Sequence, residues 1–261
     1  MGLSDPHLRR LIGADMRGPR EGDARRSPRD RGRGALDLGG GISLVRGRTH
    51  EVCGPARAVF AALAAAAAEG GPVLWIQTPR GDAGRLNADG LADFFDPGRL
   101  VLAAPRRPED VLWCAEEALR SGAAPLVVAE TPTPPRLTPV RRLHLAAEAG
   151  AEAARDRDRG GDRDAPAPLI LLLTGGEGGA EGVETRWRLS PARPGSGGGA
   201  GTGTWTGTGT ETGCWTRGAP PAWRAERLRA RLAPPRSWHV RRAGALLTLD
   251  APEDAGSAAA G

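Results

Sequence analysis

Residues 40–61 read GGISLVRGRTHEVCGPARAVFA, and this stretch sets the interpretation of the whole chain. A Gly-rich lead-in and a strand candidate at 49–53 precede a Gly-Pro pair that opens a helix. Strand, glycine turn and helix form a phosphate-binding loop when the turn reads G-x-x-x-x-G-K-[ST]. In that loop the glycines let backbone N–H groups approach the phosphates, the Lys neutralises them, and the hydroxyl holds Mg²⁺.

The motif is degenerate in this chain. Gly54 keeps the first position, but Val59 stands at the second glycine, Phe60 at the Lys and Ala61 at the Ser/Thr. Because three of the four chemical groups are missing, we expect no enzymatic activity and no cofactor, with weak residual binding of ATP and Mg²⁺ left open. A retained scaffold without its catalytic groups favours a binding role.

Apolar strand candidates alternate with helix candidates after this turn. The strands are 72–77, 99–104, 125–129 and 169–173, and the helices are 56–69, 86–95, 108–120 and 140–149. Continuously apolar strands that alternate with helices predict a mainly parallel sheet flanked by helices, an α/β fold. Residues 185–190 alternate like an edge strand, and 223–232 with 237–249 form either a hairpin or a short helix followed by a strand.

Composition predicts one globular domain with disordered additions. The 261 residues include 39 Gly and 23 Pro, close to the composition of low-complexity sequence. We expect an Arg-rich disordered tail at 1–34, the domain at 35–250 and a disordered tail at 251–261. Two low-complexity inserts, 151–168 and 194–218, should interrupt the domain as solvated segments.

Charge and cysteine content exclude several classes of protein. All 36 basic residues are Arg, and the net charge of +5 is too modest to establish nucleic-acid binding by itself. Cys53, Cys114 and Cys214 are far apart, so we expect neither a disulfide framework nor a metal site. No apolar run reaches the ~18 residues that span a membrane, so we expect a cytoplasmic protein without a membrane partner.

The order of these pieces resembles a RecA-type (P-loop NTPase-type) core and, more closely, ImuA, the RecA-like accessory family of bacterial SOS mutagenesis. The segments that carry the resemblance include GRTHEVCGP at 47–55, RRPEDVLWCAEEALRSGA at 106–123 and LTPVRRLHLAAEAG at 137–150, and WRAERLRARLAPPRSWHV at 223–240 also fits. The resemblance covers roughly residues 35–150, 168–192 and 220–250. The segment at 108–123 is its most specific part.

The resemblance implies a non-catalytic protein of SOS-induced, error-prone translesion DNA synthesis after DNA damage. Its partners would be a Y-family polymerase-like protein and an error-prone replicative-type DNA polymerase, and it would join the bacterial nucleoid when active. Three alternatives stay open: a module that binds single-stranded DNA, a divergent RecA-like ATPase that uses Gly54, Glu51 and Glu130, and an SOS cell-division inhibitor.

Acidic residues and an Arg/Trp region supply the remaining candidate sites. Glu130 follows a buried strand where a RecA-type ATPase carries its Mg²⁺ acid, but a structural carboxylate is the favoured interpretation, as it is for Glu51. Glu116 and Glu117 should lie on a solvated helix face. Arginine beside aromatics is typical of single-strand surfaces and of protein interfaces, so the contact candidates are Trp187, Arg188, Trp223, Arg227, Arg231 and Trp238.

Overall fold

A computed structural model of the chain describes residues 34–68, 70–79, 86–157, 166–192, 205–206, 214–215, 221–243 and 246–250. The expected tails lie outside these ranges, apart from Gly34. Most of the expected insert at 194–218 also lies outside them.

Strands and helices alternate along the described chain. They are Ala35–Gly39 (β1), Ile42–Val45 (β2), Thr49–Cys53 (β3), Arg57–Ala67 (α1), Val73–Ile76 (β4), Ala88–Ala92 (α2), Leu100–Ala103 (β5), Pro108–Ser121 (α3), Leu126–Thr131 (β6), Leu137–Arg157 (α4), Leu169–Thr174 (β7), Thr185–Pro191 (β8), Trp205–Thr206 (β9), Cys214–Trp215 (β10), Ala222–Ala230 (β11), Arg236–Ala243 (β12) and Leu246–Asp250 (β13). A 3₁₀ turn at Pro97–Arg99 leads into β5.

One sheet of nine strands forms the centre of the described chain, in the order β13-β12-β11-β8-β3-β7-β6-β4-β5. The six strands from β8 to β5 are parallel to one another. The C-terminal strands β11, β12 and β13 add antiparallel pairing at one side. The prediction of an α/β fold with a mainly parallel sheet and flanking helices is therefore confirmed.

Both faces of the sheet are covered, which is why β6 and β7 are buried at every position. On one face α1 and the β1–β2 hairpin enclose a core that contains Phe60, Trp75 and Trp187. On the other face α3 and α4 enclose a second core that contains Leu119 and Leu143. The small residues of α1 let it lie close to the sheet, since Ala61, Ala64 and Ala65 are completely buried.

The Gly-rich lead-in is the turn of the β1–β2 hairpin, which sequence analysis does not predict. Gly39, Gly40 and Gly41 all have positive φ angles, which glycine adopts without a steric cost. The indole Nε1–H of Trp238 donates to the Gly40 carbonyl at 2.9 Å. The hairpin is thereby attached to β12, nearly two hundred residues away in sequence.

Helix α3 follows the prediction in all but one respect. Pro108 begins it, and Gly122 ends it in the left-handed conformation with a φ of 62°. Glu116, expected on a solvated face, is buried because α4 packs alongside, and its two carboxylate oxygens accept 2.7 Å bonds from Arg120 and Arg142. Glu117 is exposed as expected and pairs with Arg120.

Helix α4 is longer than predicted, and the expected insert at 151–168 is wrong for its first seven residues. The helix continues to Arg157, and it buries Ala151 and Ala154. The helical period brings these alanines onto the same buried face as Val140 and Leu143. Residues 158–165 of the expected insert lie outside the described ranges.

The C-terminal third corrects two expectations and decides between two alternatives. Strand β8 was expected at an edge, but it lies between β3 and β11 in the sheet. Of the two alternatives for the late segments, the hairpin is right, because β11 and β12 pair antiparallel from Ala222↔Arg241 to Arg227↔Arg236. Inside the expected flexible run 194–218, the short strands β9 and β10 pair with each other.

Candidate functional site

The turn between β3 and α1 is the position of the candidate nucleotide site. Gly54 has a φ of +88°, and a Cβ added there would lie 2.7 Å from the Leu189 carbonyl oxygen and 3.0 Å from Cγ of Arg188. Strand β8 therefore passes directly against this turn. The close approach of β8 is itself sufficient to require glycine at this position.

Three N–H groups at the start of α1 are already bonded to the protein. Ala56 N–H donates to the Leu189 carbonyl at 3.0 Å, and Arg57 N–H donates to the Gly54 carbonyl at 3.3 Å. Val59 N–H donates to the Ala56 carbonyl at 2.9 Å. A phosphate-binding helix start depends on such N–H groups being free to point at the anion.

The residues at the remaining motif positions belong to the core. Phe60, at the Lys position, is 1% exposed, and its ring centroid lies 5.5 Å from that of Trp187. Ala61, at the hydroxyl position, is completely buried, and Val59 packs partly buried against the same cluster. These side chains support α1 on the sheet and offer nothing to an anion.

Arg57 is the cation next to this turn. Its Nη1 donates to the Gly54 carbonyl at 3.4 Å. Its guanidinium therefore folds back on the turn that precedes α1.

Glu130 is the last but one residue of β6 and is 7% exposed. Its Oε1 accepts a hydrogen bond from the indole Nε1–H of Trp75 on the neighbouring strand β4, at 2.9 Å. The carboxylate thus fixes the ring of a completely buried Trp. This contact agrees with a structural carboxylate close to a strand end.

Glu51 is completely buried and holds the connection between β7 and β8. Its Oε1 accepts from the Thr174 hydroxyl at 2.8 Å and from Gly179 N–H at 2.8 Å. Ala180 N–H reaches both oxygens, at 3.0 and 3.1 Å, and Arg186 Nε donates to Oε2. Each carboxylate oxygen accepts from at least two protein donors, so Glu51 acts as a structural anchor here.

His50 connects three strands through a relay of hydrogen bonds. Trp187 Nε1–H donates to the Thr185 hydroxyl at 2.7 Å, and that hydroxyl lies 2.7 Å from His50 Nδ1. Nε2 of His50 lies 2.9 Å from the Val45 carbonyl, which can only accept. Nε2 therefore carries a proton. Burial lowers the pKa of His50 to about 4, so the ring is neutral near pH 7.

Two of the six contact candidates are not at the surface. Trp187 is completely buried and Trp238 is 1% exposed, with their ring centroids 5.2 Å apart. Both rings lie in the core, Trp187 from β8 and Trp238 from β12, so in this fold neither offers its face to a partner or to DNA. Their alternation with arginine reflects strand periodicity, with one face buried.

Arg227 lies beside these rings rather than in open solvent. Its guanidinium carbon lies 5.8 Å from the Trp187 centroid and 5.3 Å from that of Trp238. Its Nε and Nη2 donate to the Pro234 carbonyl at 3.1 and 2.9 Å. Arg227 thus closes the β11–β12 hairpin over the core, and desolvation there lowers its pKa.

The other three candidates keep some accessible surface. Arg188 is half-buried and pairs with the exposed Glu177. Trp223 is half-buried, with its ring 6.3 Å from that of Phe94. Arg231 is exposed at the end of β11, next to Leu232, which is 48% exposed and which sequence analysis does not single out.

The described ranges contain no group of three or more His, Cys, Asp or Glu that could hold a metal ion. No helix there is both long enough and apolar enough to pass through a membrane.

Comparison with known proteins gives little for this chain. No protein-family model and no curated protein matches it. Among solved structures, the crystal structure of SulA from Pseudomonas aeruginosa is similar over 49% of this chain and 98% of the SulA chain, with 18% identity and a TM-score of 0.37. We take neither a fold family nor a function from a likeness of this size.

Proposed function

We propose that this chain is a RecA-like protein without ATP turnover that acts as an assembly factor in SOS-induced, error-prone translesion DNA synthesis. It would bind a Y-family polymerase-like protein and, with it, an error-prone replicative-type polymerase, at the bacterial nucleoid in the cytoplasm. The proposal joins the sequence resemblance to ImuA with the geometry of the β3–α1 turn.

The bonding and packing of the β3–α1 turn support the part of the proposal that concerns the lack of ATP turnover. Ala56 N–H is bonded to β8, and the ring at the Lys position lies in the core against Trp187. Glu51 and Glu130, the two acids that a divergent ATPase would use, accept hydrogen bonds from Thr174 and Trp75. The residues at the positions that would bind and hydrolyse a nucleotide contribute instead to the packing of the sheet.

The β11–β12 turn is the surface that we propose for the polymerase-like partner. Arg231, Leu232 and Arg236 are exposed around this turn, and Pro234 and Pro235 restrict its backbone. Arginine and an exposed apolar side chain on a rigid support are features of interface anchors. The core beneath, with Arg227 over Trp187 and Trp238, holds the turn in place.

Affinity capture from DNA-damaged cells of the native host tests the proposal. The tagged chain should recover a Y-family polymerase-like protein, and nuclease treatment should not release it. The double variant Arg231→Glu/Leu232→Asp should lose this partner, whereas Arg141→Glu/Leu145→Asp, an equally exposed pair on α4, should retain it. Recovery only through DNA, or of division proteins alone, would contradict the proposal.

A further inference from the structure

Strand β5 is the last strand at its side of the sheet. Gln77 N–H donates to the Ala103 carbonyl at 3.0 Å, so the main-chain groups of Ala103 face β4. Because these groups alternate along a strand, Val101 also faces β4, and Leu100 and Leu102 direct theirs away from the sheet. Within the described chain, no strand pairs with β5 on that outer side.

The side chains of β5 lack the usual protection of an edge. Natural edge strands carry charges, prolines or bulges that prevent pairing with other chains. Residues 100–104 read LVLAA, and Val101 and Leu102 are 49% and 57% exposed. Within the described chain, one main-chain group on the outer side of β5 already has a partner: Leu100 N–H donates to the Pro97 carbonyl of the 3₁₀ turn.

We propose that β5 pairs antiparallel with β5 of a second copy of this chain, with Leu102 opposite Leu102 on a two-fold axis. Five outward groups remain for pairing: the Leu100 carbonyl and both main-chain groups of Leu102 and of Ala104. In this register each Leu102 N–H meets the Leu102 carbonyl of the other copy. Each Ala104 N–H meets a Leu100 carbonyl, so four of the five groups are satisfied, and the Ala104 carbonyl lies opposite the occupied Leu100 N–H.

Charge at the two ends of β5 supports an antiparallel pair of identical chains. Asp96 is exposed before the strand, and Arg106 and Arg107 are exposed after it. Antiparallel pairing brings the acidic end of one copy to the basic end of the other. Parallel pairing would place the arginines of both copies together, which is unfavourable.

Sedimentation of the purified full chain tests the proposal, and it does not depend on any polymerase partner. The wild type should form a concentration-dependent dimer. Leu102→Lys should weaken dimerisation by about tenfold or more, because the two lysines would face each other directly. Leu145→Lys, at a leucine 65% exposed on α4, should dimerise like the wild type. At a concentration where all three proteins are monomeric, both variants should keep the wild-type melting temperature.

A charge-swap mixture tests the register itself. Leu102→Glu and Leu102→Arg should each be monomeric alone, and an equimolar mixture should form a heterodimer. A wild type that stays monomeric at the highest soluble concentration would overturn the proposal. A dimer that persists in Leu102→Lys, or a mixture that stays monomeric, would overturn it equally.

Discussion

At the scale of single residues, His50 should make stability depend on pH. The pKa of His50 is about 4 in the folded chain, against an ordinary value of 6.5. Between these pH values the ring therefore binds a proton in the unfolded chain but not in the folded chain. Stability should be constant above the ordinary pKa and decrease from about pH 6.5 to about pH 4, by up to about 3 kcal/mol. Urea unfolding between pH 7 and about pH 5 measures this slope.

The matched variant is His50→Gln, whose amide can still donate to the Val45 carbonyl and accept from Thr185. In this variant the free energy of unfolding should change clearly less with pH over the same range, because the titrating ring is gone. Equal slopes in both proteins would show that His50 is not the group responsible.

Glu51 is the residue whose loss should cost most stability. Glu51→Ala leaves Gly179 N–H, Ala180 N–H and the Arg186 guanidinium without their shared acceptor. We expect a loss of about 3–5 kcal/mol in the free energy of unfolding. Glu117→Ala, at an exposed surface pair on α3, should stay within about 1 kcal/mol of the wild type.

An ATPase that used Glu51 as its base would give the opposite pattern. Such an enzyme would keep its stability in Glu51→Ala and lose nucleotide turnover. Stability and turnover measured on the same preparation therefore separate an anchor from a catalytic group.

At the scale of elements, the contact between α3 and α4 depends on a glycine inside a helix. A Cβ added at Gly150 would overlap the Leu119 carbonyl and lie 3.0 Å from Cγ of Pro168. Gly150→Ala should therefore destabilise the fold by about 1–3 kcal/mol, although Ala is the better helix former by about 1 kcal/mol.

Gly90→Ala in α2 is the control, because the added Cβ would meet only Cβ of Asn87, at 3.9 Å. We expect this change to be neutral or to stabilise by up to about 1 kcal/mol. Thermal unfolding of the two variants compares them directly. Equal melting temperatures would contradict the close packing of α3 on α4.

Local patterns predict most of these elements, and the failures have physical reasons. Strands β4 to β7 each contain a run of four or five apolar residues close to a glycine or proline, so they can be predicted without tertiary contacts. The helical Ala151 and Ala154 lie in an Arg/Asp-rich run, where composition conceals a buried stripe. Whether β8 lies at an edge or inside depends on β11, more than thirty residues later, and no local pattern encodes that pairing.

The same limit applies to the candidate site. The missing Lys and hydroxyl of the phosphate loop are visible in the sequence at Phe60 and Ala61. The bonding of Ala56 to Leu189 and the relay from Trp187 to His50 arise only when β8 lies beside β3. A strict alternation, as in TRWRLS, could have placed Trp187 and Leu189 on one buried face, and it was the available signal against a surface role for Trp187.

At the scale of the whole molecule, the sheet places strands side by side that are far apart in the sequence. Strand β3 lies between β7 and β8, so the candidate nucleotide turn is enclosed by residues more than one hundred positions later. The two surfaces that we propose for contacts, the β5 edge and the β11–β12 turn, belong to opposite halves of the sheet. One chain could therefore pair with a copy of itself and still present the turn that we propose for a polymerase-like partner.

The most direct test of the central claim is calorimetric titration of the purified full chain with ATP and Mg²⁺, with phosphate release followed in the same samples. The account predicts no saturable heat and no release above that of buffer, because the β3–α1 turn is bonded to β8 and its Lys position is filled by Phe60. Saturable binding with hydrolysis that Glu130→Gln abolishes, in a variant that remains folded, would contradict the account and identify the chain as a divergent ATPase.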